Sequence, residues 1–158
     1  MTVNLNLKPK TPKKINAAIK TLLTTLNVQN TPQYLSLSKV PNARAGYCFN
    51  NCEDYAVEHN VGIVYGWMFW EDRKHDFTEA EFHAVILENG VFKDITPRST
   101  NESQILFVPD MQRNHGRKGT TSWFSWTNIK MIDGRVIENT KPIEIIELDD
   151  DYSELIYL

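Results

Sequence analysis

Two dipeptides, Asn89-Gly90 and Asp133-Gly134, constrain this chain more than anything else in its sequence. Each is the pair that a two-residue hairpin turn requires, because type I′ turns need positive φ at both central positions. Phe82–Glu88 and Val91–Thr96 flank the first, Thr121–Ile132 and Arg135–Glu138 the second, all rich in β-branched and aromatic residues. Gly62–Trp70 and Pro142–Leu148 have the same texture and read as further strands. Ahead of them lie two stretches of helical period. Thr11-Pro12 offers an N-cap with proline at the first helical position, followed by Ile15, Ile19, Leu22, Leu23 and Leu26 along one face. A second helix starts near Tyr47 or Cys48, carries Cys48, Phe49, Cys52, Tyr55 and Ala56 on one stripe, and ends between Asn60 and Gly62. Asn27 to Gly46 breaks every period and reads as loop, with at most a short strand near Tyr34–Leu37. Helices followed by a meander of hairpins describe an α+β fold, N-terminal helices packed on an antiparallel β-sheet.

A chain of 158 residues makes one domain, with residues 1–12 expected as a flexible arm and 149–158 as an acidic, solvated tail. Seventeen basic and 20 acidic residues leave a net charge of -3, so no global positive field exists to hold a phosphate backbone and no nucleic acid is expected as partner. No apolar run approaches ~18 residues and no basic-then-apolar leader opens the chain, so no membrane association is expected. Two cysteines, Cys48 and Cys52, are no disulfide framework, which points to a reducing, cytoplasmic setting. His59, His75, His83 and His115 show no metal-ligand spacing, and no glycine-rich phosphate loop is present; neither metal nor cofactor is expected.

The hairpin closed by Asn89-Gly90 carries the chemistry. Its register pairs Ile86 with Lys93 and Val85 with Asp94, so that His83, Val85 and Asp94 share one face. His83 and Asp94 then stand diagonally, with Cα atoms ~7–8 Å apart. Both faces are otherwise apolar, so the carboxylate needs a partner and the imidazole supplies it. Such a pair is either a satisfied core contact or the base and orienter of a nucleophilic constellation. Cys48 bears on the choice. It sits at the expected start of a helix, where free N–H groups and the dipole favour a thiolate by ~0.3–1 kcal/mol, so an ion pair with His83 must supply the rest. Cys52, one turn into the helix, reads as a packed thiol.

Tyr47-Cys48-Phe49-Asn50-Asn51, Val64-Tyr65-Gly66-Trp67, Glu81-Phe82-His83-Ala84-Val85 and Gly90-Val91-Phe92-Lys93-Asp94-Ile95-Thr96-Pro97, in that order, resemble the papain-like cysteine hydrolases, and within them the compact bacterial and viral transglutaminase-like proteins. The resemblance implies a papain/transglutaminase-like domain with Cys48 as nucleophile, His83 as general base and Asp94 as orienter. It also implies an oxyanion donor upstream of the nucleophile, for which Asn42 and then Gln33 stand in the place of the family's usual glutamine. One departure is Val85, where transglutaminase-like members commonly carry tryptophan.

Trp67, whose strand the resemblance sets beside that of His83, is either a packed residue or one wall of a substrate groove. Tyr65 and Asn51 from the matched segments, and Arg117 from the polar segment Asp110–Gly119, complete the groove candidates, that segment being a candidate lid. The expectation is a cysteine-dependent hydrolase or acyltransferase that acts on a protein, peptide or other amide or ester substrate through a thioester. The alternative is an inactive relative that binds and inhibits a protein or small molecule. The oligomeric state is not legible in the sequence.

Overall fold

The computed structural model describes residues 6–100, 102–149 and 152–158. Two α-helices lie against antiparallel sheets, so the molecule is α+β. Helix α1 (Ala17–Leu26) buries Ile19, Leu22 and Leu26, and helix α2 (Cys48–His59) buries Asn51 and Cys52. Both helices end on an asparagine in the left-handed region, Asn27 and Asn60, the C-terminal signal that this residue type provides.

The larger sheet is built from β1 (Gln33–Ser36), β2 (Gly62–Asp72), β3 (Phe77–Glu88), β4 (Val91–Lys93), β5 (Gln104–Pro109), β8 (Ile129–Ile132) and β9 (Arg135–Glu138), in the order β1-β5-β2-β3-β8-β9 with β4 also on β3. A smaller sheet, β11-β10-β7-β6, contains β6 (Gly116–Arg117), β7 (Ser122–Trp126), β10 (Pro142–Asp149) and β11 (Tyr152–Tyr157). Asn89, Gly90, Asp133 and Gly134 all have positive φ, as the two hairpin turns require. The β3–β4 register is the expected one as far as Ile86 opposite Lys93 and Leu87 opposite Phe92, but β4 ends at Lys93 and the expected pairing of Val85 with Asp94 does not form.

Several expectations differ from what is observed. The first helix begins at Ala17, capped by Asn16 Oδ1 on the Ile19 N–H, and not at Thr11-Pro12. Lys10 exchanges both backbone hydrogen bonds with Glu71 and Thr11 donates its hydroxyl to Gln104 O, which holds the segment along β2 beyond the stretch that β2 pairs with β5. The expected arm is therefore tied down from Lys8, whose N–H bonds Asp72 Oδ2, while residues 1–5 lie outside the described residues. The expected tail contains the end of β10 and all of β11, which pairs along one edge with β10 despite the charge of the segment; Asp150 and Asp151 lie outside the described residues. Thr121–Ile132 is broken into β7 and β8, which belong to different sheets. Asn128, at the break, spends its side chain on the Phe82 N–H and Glu79 Oε2.

β3 positions the site. Along one edge it pairs with β2 over its whole length, Gly62 opposite Leu87 to Asp72 opposite Phe77. Along the other it pairs with β8 from Phe77 to Ala80 and with β4 from Ile86 to Glu88. Among the described residues, Glu81 to Val85 have no strand partner on that side. Past β4 the chain leaves β3, and Asp94 bridges instead to Leu37, just past β1, closing a ring of pairings β1–β5–β2–β3–β4. One sheet face packs Leu35, Met68, Val85, Ile105 and Phe107 together. The other meets the helices, through Trp67, Phe69 and Phe82 near α1 and through Ala84 and Ile86 against Cys52 of α2. Among the described residues no helix is long and apolar enough to cross a membrane.

Candidate functional site

At the gap in the β3 edge, a cleft of about 360 Å³ opens between the start of α2, the strand and the segment after β4. Cys48, Trp70, Glu81, His83, Arg98 and Asn128 are among the residues that line it. Alternation puts His83 on the face opposite Phe82, while α2 packs on the Phe82 side through Phe49, with ring centroids 6.1 Å apart. The missing strand is what lets a side chain from the helix layer and one from the far face share a cleft.

His83 is 1% exposed and its Nε2 lies 3.0 Å from Asp94 Oδ1. Asp94, also 1% exposed, receives the Arg98 guanidinium on Oδ2 and a longer contact from the Thr96 N–H on Oδ1. With Oδ1 as acceptor, Nε2 carries the proton; the approach of the Arg98 guanidinium to Nε2 at 3.4 Å is then a contact between two donors, not a hydrogen bond. Nδ1 is buried and has no hydrogen-bond partner. Burial by itself would lower the His83 pKa; the charge of the nearby Cys48 and the hydrogen bond to Asp94 outweigh it and raise the pKa to about 9.

Cys48 is half-buried at the first position of α2. No side chain caps that helix, and the first amide to bond back is that of Asn51, to Tyr47 O at 2.8 Å. The N–H groups of the first turn, including that of Cys48 itself, are therefore available to an anion. Cys52 is fully buried, and desolvation pushes its thiol pKa far up, which keeps it protonated and inert.

Other sequence-based candidates lie elsewhere, which corrects those expectations. Asn42 is an exposed residue at φ 67° that lines a different cavity, with Asp54 and Glu58, and Gln33 is exposed on β1; neither borders the Cys48 cleft. Trp67 pairs opposite Phe82, so it points into the helix-side core, fully buried with Nε1 donating to Asp110 Oδ2 at 2.9 Å. Trp70, an odd number of residues along, faces the His83 side and is the tryptophan of the cleft. Tyr65 packs among Phe49, Phe82 and His115, and burial raises its hydroxyl pKa to about 12. Asn51 is saturated: its amide bonds Arg44 O and Thr96 Oγ1 and its oxygen takes the Arg44 N–H, tying the loop before Cys48 to the segment after Asp94. It positions the site and does not line it.

Arg117 pairs with Glu53 at 3.3 Å and lies over the Trp123 ring, away from the cleft. Its segment is no lid, because β6 pairs with β7, Asp110 binds Trp67 and Arg113, and His115 stacks on Phe49 at 3.7 Å between centroids. Burial, with Arg117 adding to it, lowers the His115 pKa to about 4 and keeps that ring neutral in the stack.

Arg98 and Glu81 escaped the sequence reading. Asp94 and Arg98 stand at the spacing of a helical ion pair in a stretch with no helical period, so only the bend after β4 reveals their contact. Glu81 shares the His83 face by simple alternation, a signal that was present in the sequence. Among the described residues, no group of His, Cys, Asp and Glu side chains is arranged to hold a metal ion. No protein family, curated protein or solved structure matches this chain, so the functional reading rests on the geometry of the cleft.

Proposed function

We propose that the protein is a cysteine-dependent hydrolase or acyltransferase with a papain/transglutaminase-like arrangement, in which Cys48 is the nucleophile, His83 the acid and base, and Asp94 the orienter. The observation that carries this reading is a buried histidine fixed through Nε2 by a carboxylate, with an unpartnered Nδ1, lining the same cleft as a cysteine at an uncapped helix start. The Cys48 thiol transfers its proton to His83 Nδ1, and the resulting thiolate attacks the carbonyl carbon of an amide or ester. Free first-turn N–H groups stabilise the oxyanion that forms. His83 returns the proton to the leaving amine or alcohol as the C–N or C–O bond breaks, leaving a thioester on Cys48. Water or an amine, deprotonated by His83, then attacks the thioester, and the departing sulfur is restored as the thiol.

Treatment with an electrophilic amide or ester probe, followed by peptide mapping, tests the proposal. The expected adduct is on Cys48, is absent in Cys48→Ala, persists in Cys52→Ala and forms much more slowly in His83→Ala. An adduct on Cys52 moves the nucleophile; a Cys48 alkylation profile against pH that matches a free thiol and is unchanged in His83→Ala refutes the ion pair. A second reading, an inactive binding relative, is favoured by one observation: neither Asn42 nor Gln33 borders the cleft, so neither side chain supplies the second oxyanion donor. That reading requires biological effect to survive in Cys48→Ala.

A further inference from the structure

The cleft holds one carboxylate that the triad does not use. Glu81 stands two residues before His83 on the same strand face and lines the same cleft. It is half-buried, desolvation raises its carboxyl pKa, and the two cations that act on it, His83 and Arg98, do so only through space. Both of those cations are directed at Asp94. Neighbouring acids on β3 are already engaged: Glu79 by Asn128 and Lys130, Glu88 by Lys93 and Tyr55.

The charges within the site can be paired off. His83 and Arg98 both spend their contacts on Asp94, which leaves Glu81 as the carboxylate of the cleft with no ion-pair or hydrogen-bond partner of its own among the described residues. A half-buried carboxylate without a partner is costly, and a cation entering the cleft recovers that cost. Trp70 offers an indole on the same cleft, a surface that attracts alkylammonium and guanidinium groups. His83 and Arg98, each with a buried nitrogen that has no hydrogen-bond partner, line the same cleft, so its lining is polar.

We propose that Glu81, with Trp70, forms a subsite beside Cys48 for a positively charged substrate group, an alkylammonium or a guanidinium. This rests on Cys48 being the reactive thiol. Substrates would then be amides or esters that carry such a group near the scissile bond, or amines that serve as the acyl acceptor.

The test is the rate at which Cys48 of the full chain is modified by methanethiosulfonate reagents of matched size, one bearing trimethylammonium, one sulfonate and one neutral, with adducts assigned by peptide mapping. Relative to a free small thiol, the cationic-to-anionic rate ratio is expected to be raised about tenfold or more, as for charge focused in a cleft. It is expected to drop severalfold in Glu81→Gln and to drop in the wild-type protein as salt is raised. Modification of Cys48 with a ratio equal to that of the free thiol, or one indifferent to salt, overturns the subsite and leaves the nucleophile standing. No modification of Cys48 by any reagent overturns both. In turnover, Glu81→Gln raising KM for a lysine-bearing acyl donor assigns the cation to the donor; a lowered ratio of aminolysis to hydrolysis with a free alkylamine assigns it to the acceptor.

Discussion

Replacing Arg98 by methionine keeps most of the alkyl stem and removes the guanidinium from Asp94 Oδ2. Asp94 is 1% exposed and divides its oxygens between His83 and Arg98, so the substitution leaves a buried carboxylate with His83 as its remaining cation. Breaking a buried pair from one side costs ~3–5 kcal/mol when nothing else compensates the charge left behind. Here the compensation depends on pH. The His83 pKa is raised from 6.5 to about 9, so the stabilisation it provides is fully present below pH 6.5 and is lost as the pH rises through about 9. At pH 7 the imidazolium still faces Asp94, and the loss in Arg98→Met is expected at roughly 1–2 kcal/mol, below the uncompensated range. At pH 10 the ring is neutral and the full ~3–5 kcal/mol is expected. Urea unfolding of both proteins at both pH values gives the difference of differences, from which groups titrating identically in the two proteins cancel. For a chain of this length each kcal/mol is ~2–4 °C in Tm, so thermal unfolding resolves the same contrast. An equal loss at pH 7 and pH 10, or one below ~0.5 kcal/mol at both, would refute the view that His83 and Arg98 share the charge of Asp94.

Further outcomes follow from the same geometry. The pH profile of kcat/KM on an ester probe should fall through a basic limb near 9 as His83 loses its proton, and Asp94→Asn should move that limb to lower pH. Asn51→Ala removes the bonds to Arg44 and Thr96, with an expected cost of ~1–3 kcal/mol in urea unfolding and slower Cys48 modification without any lost substrate contact. A Cβ on Gly66, which stands opposite His83, would lie 2.1 Å from Val108 O; Gly66→Ala should therefore cost at least the ~1–3 kcal/mol of overpacking, seen as a lowered urea midpoint. Trp67→Phe should lower stability by ~1–3 kcal/mol through its lost bond to Asp110 and leave Cys48 modification unchanged, whereas Trp70→Ala should change the modification rate.

What the sequence determined by itself was local. Positive φ at Asn89-Gly90 set the turn and the turn set the register of β3 against β4 as far as Ile86 opposite Lys93, which leaves Asp94, the next residue, close enough for its side chain to meet His83 after the chain has left the hairpin. The start of α2 at Cys48, and the contrast between a half-buried Cys48 and a buried Cys52, were legible for the same reason: helical period acts over a few residues. The first helix shows where this stops, since a good cap at Thr11 lost to the pairing of Lys10 with Glu71, far along the chain, that no local pattern announces. Tertiary structure alone decided the cleft. It exists because β8 and β4 stop short of each other along β3, and because Asp94 leaves the hairpin to bridge to Leu37, which turns it toward Arg98. The same gap excludes Asn42, Gln33, Trp67, Tyr65 and Arg117, and admits Trp70, Arg98 and Glu81. Where a strand lacks a neighbour is set by the lengths and order of strands far apart in the chain, and that is information no window of sequence contains.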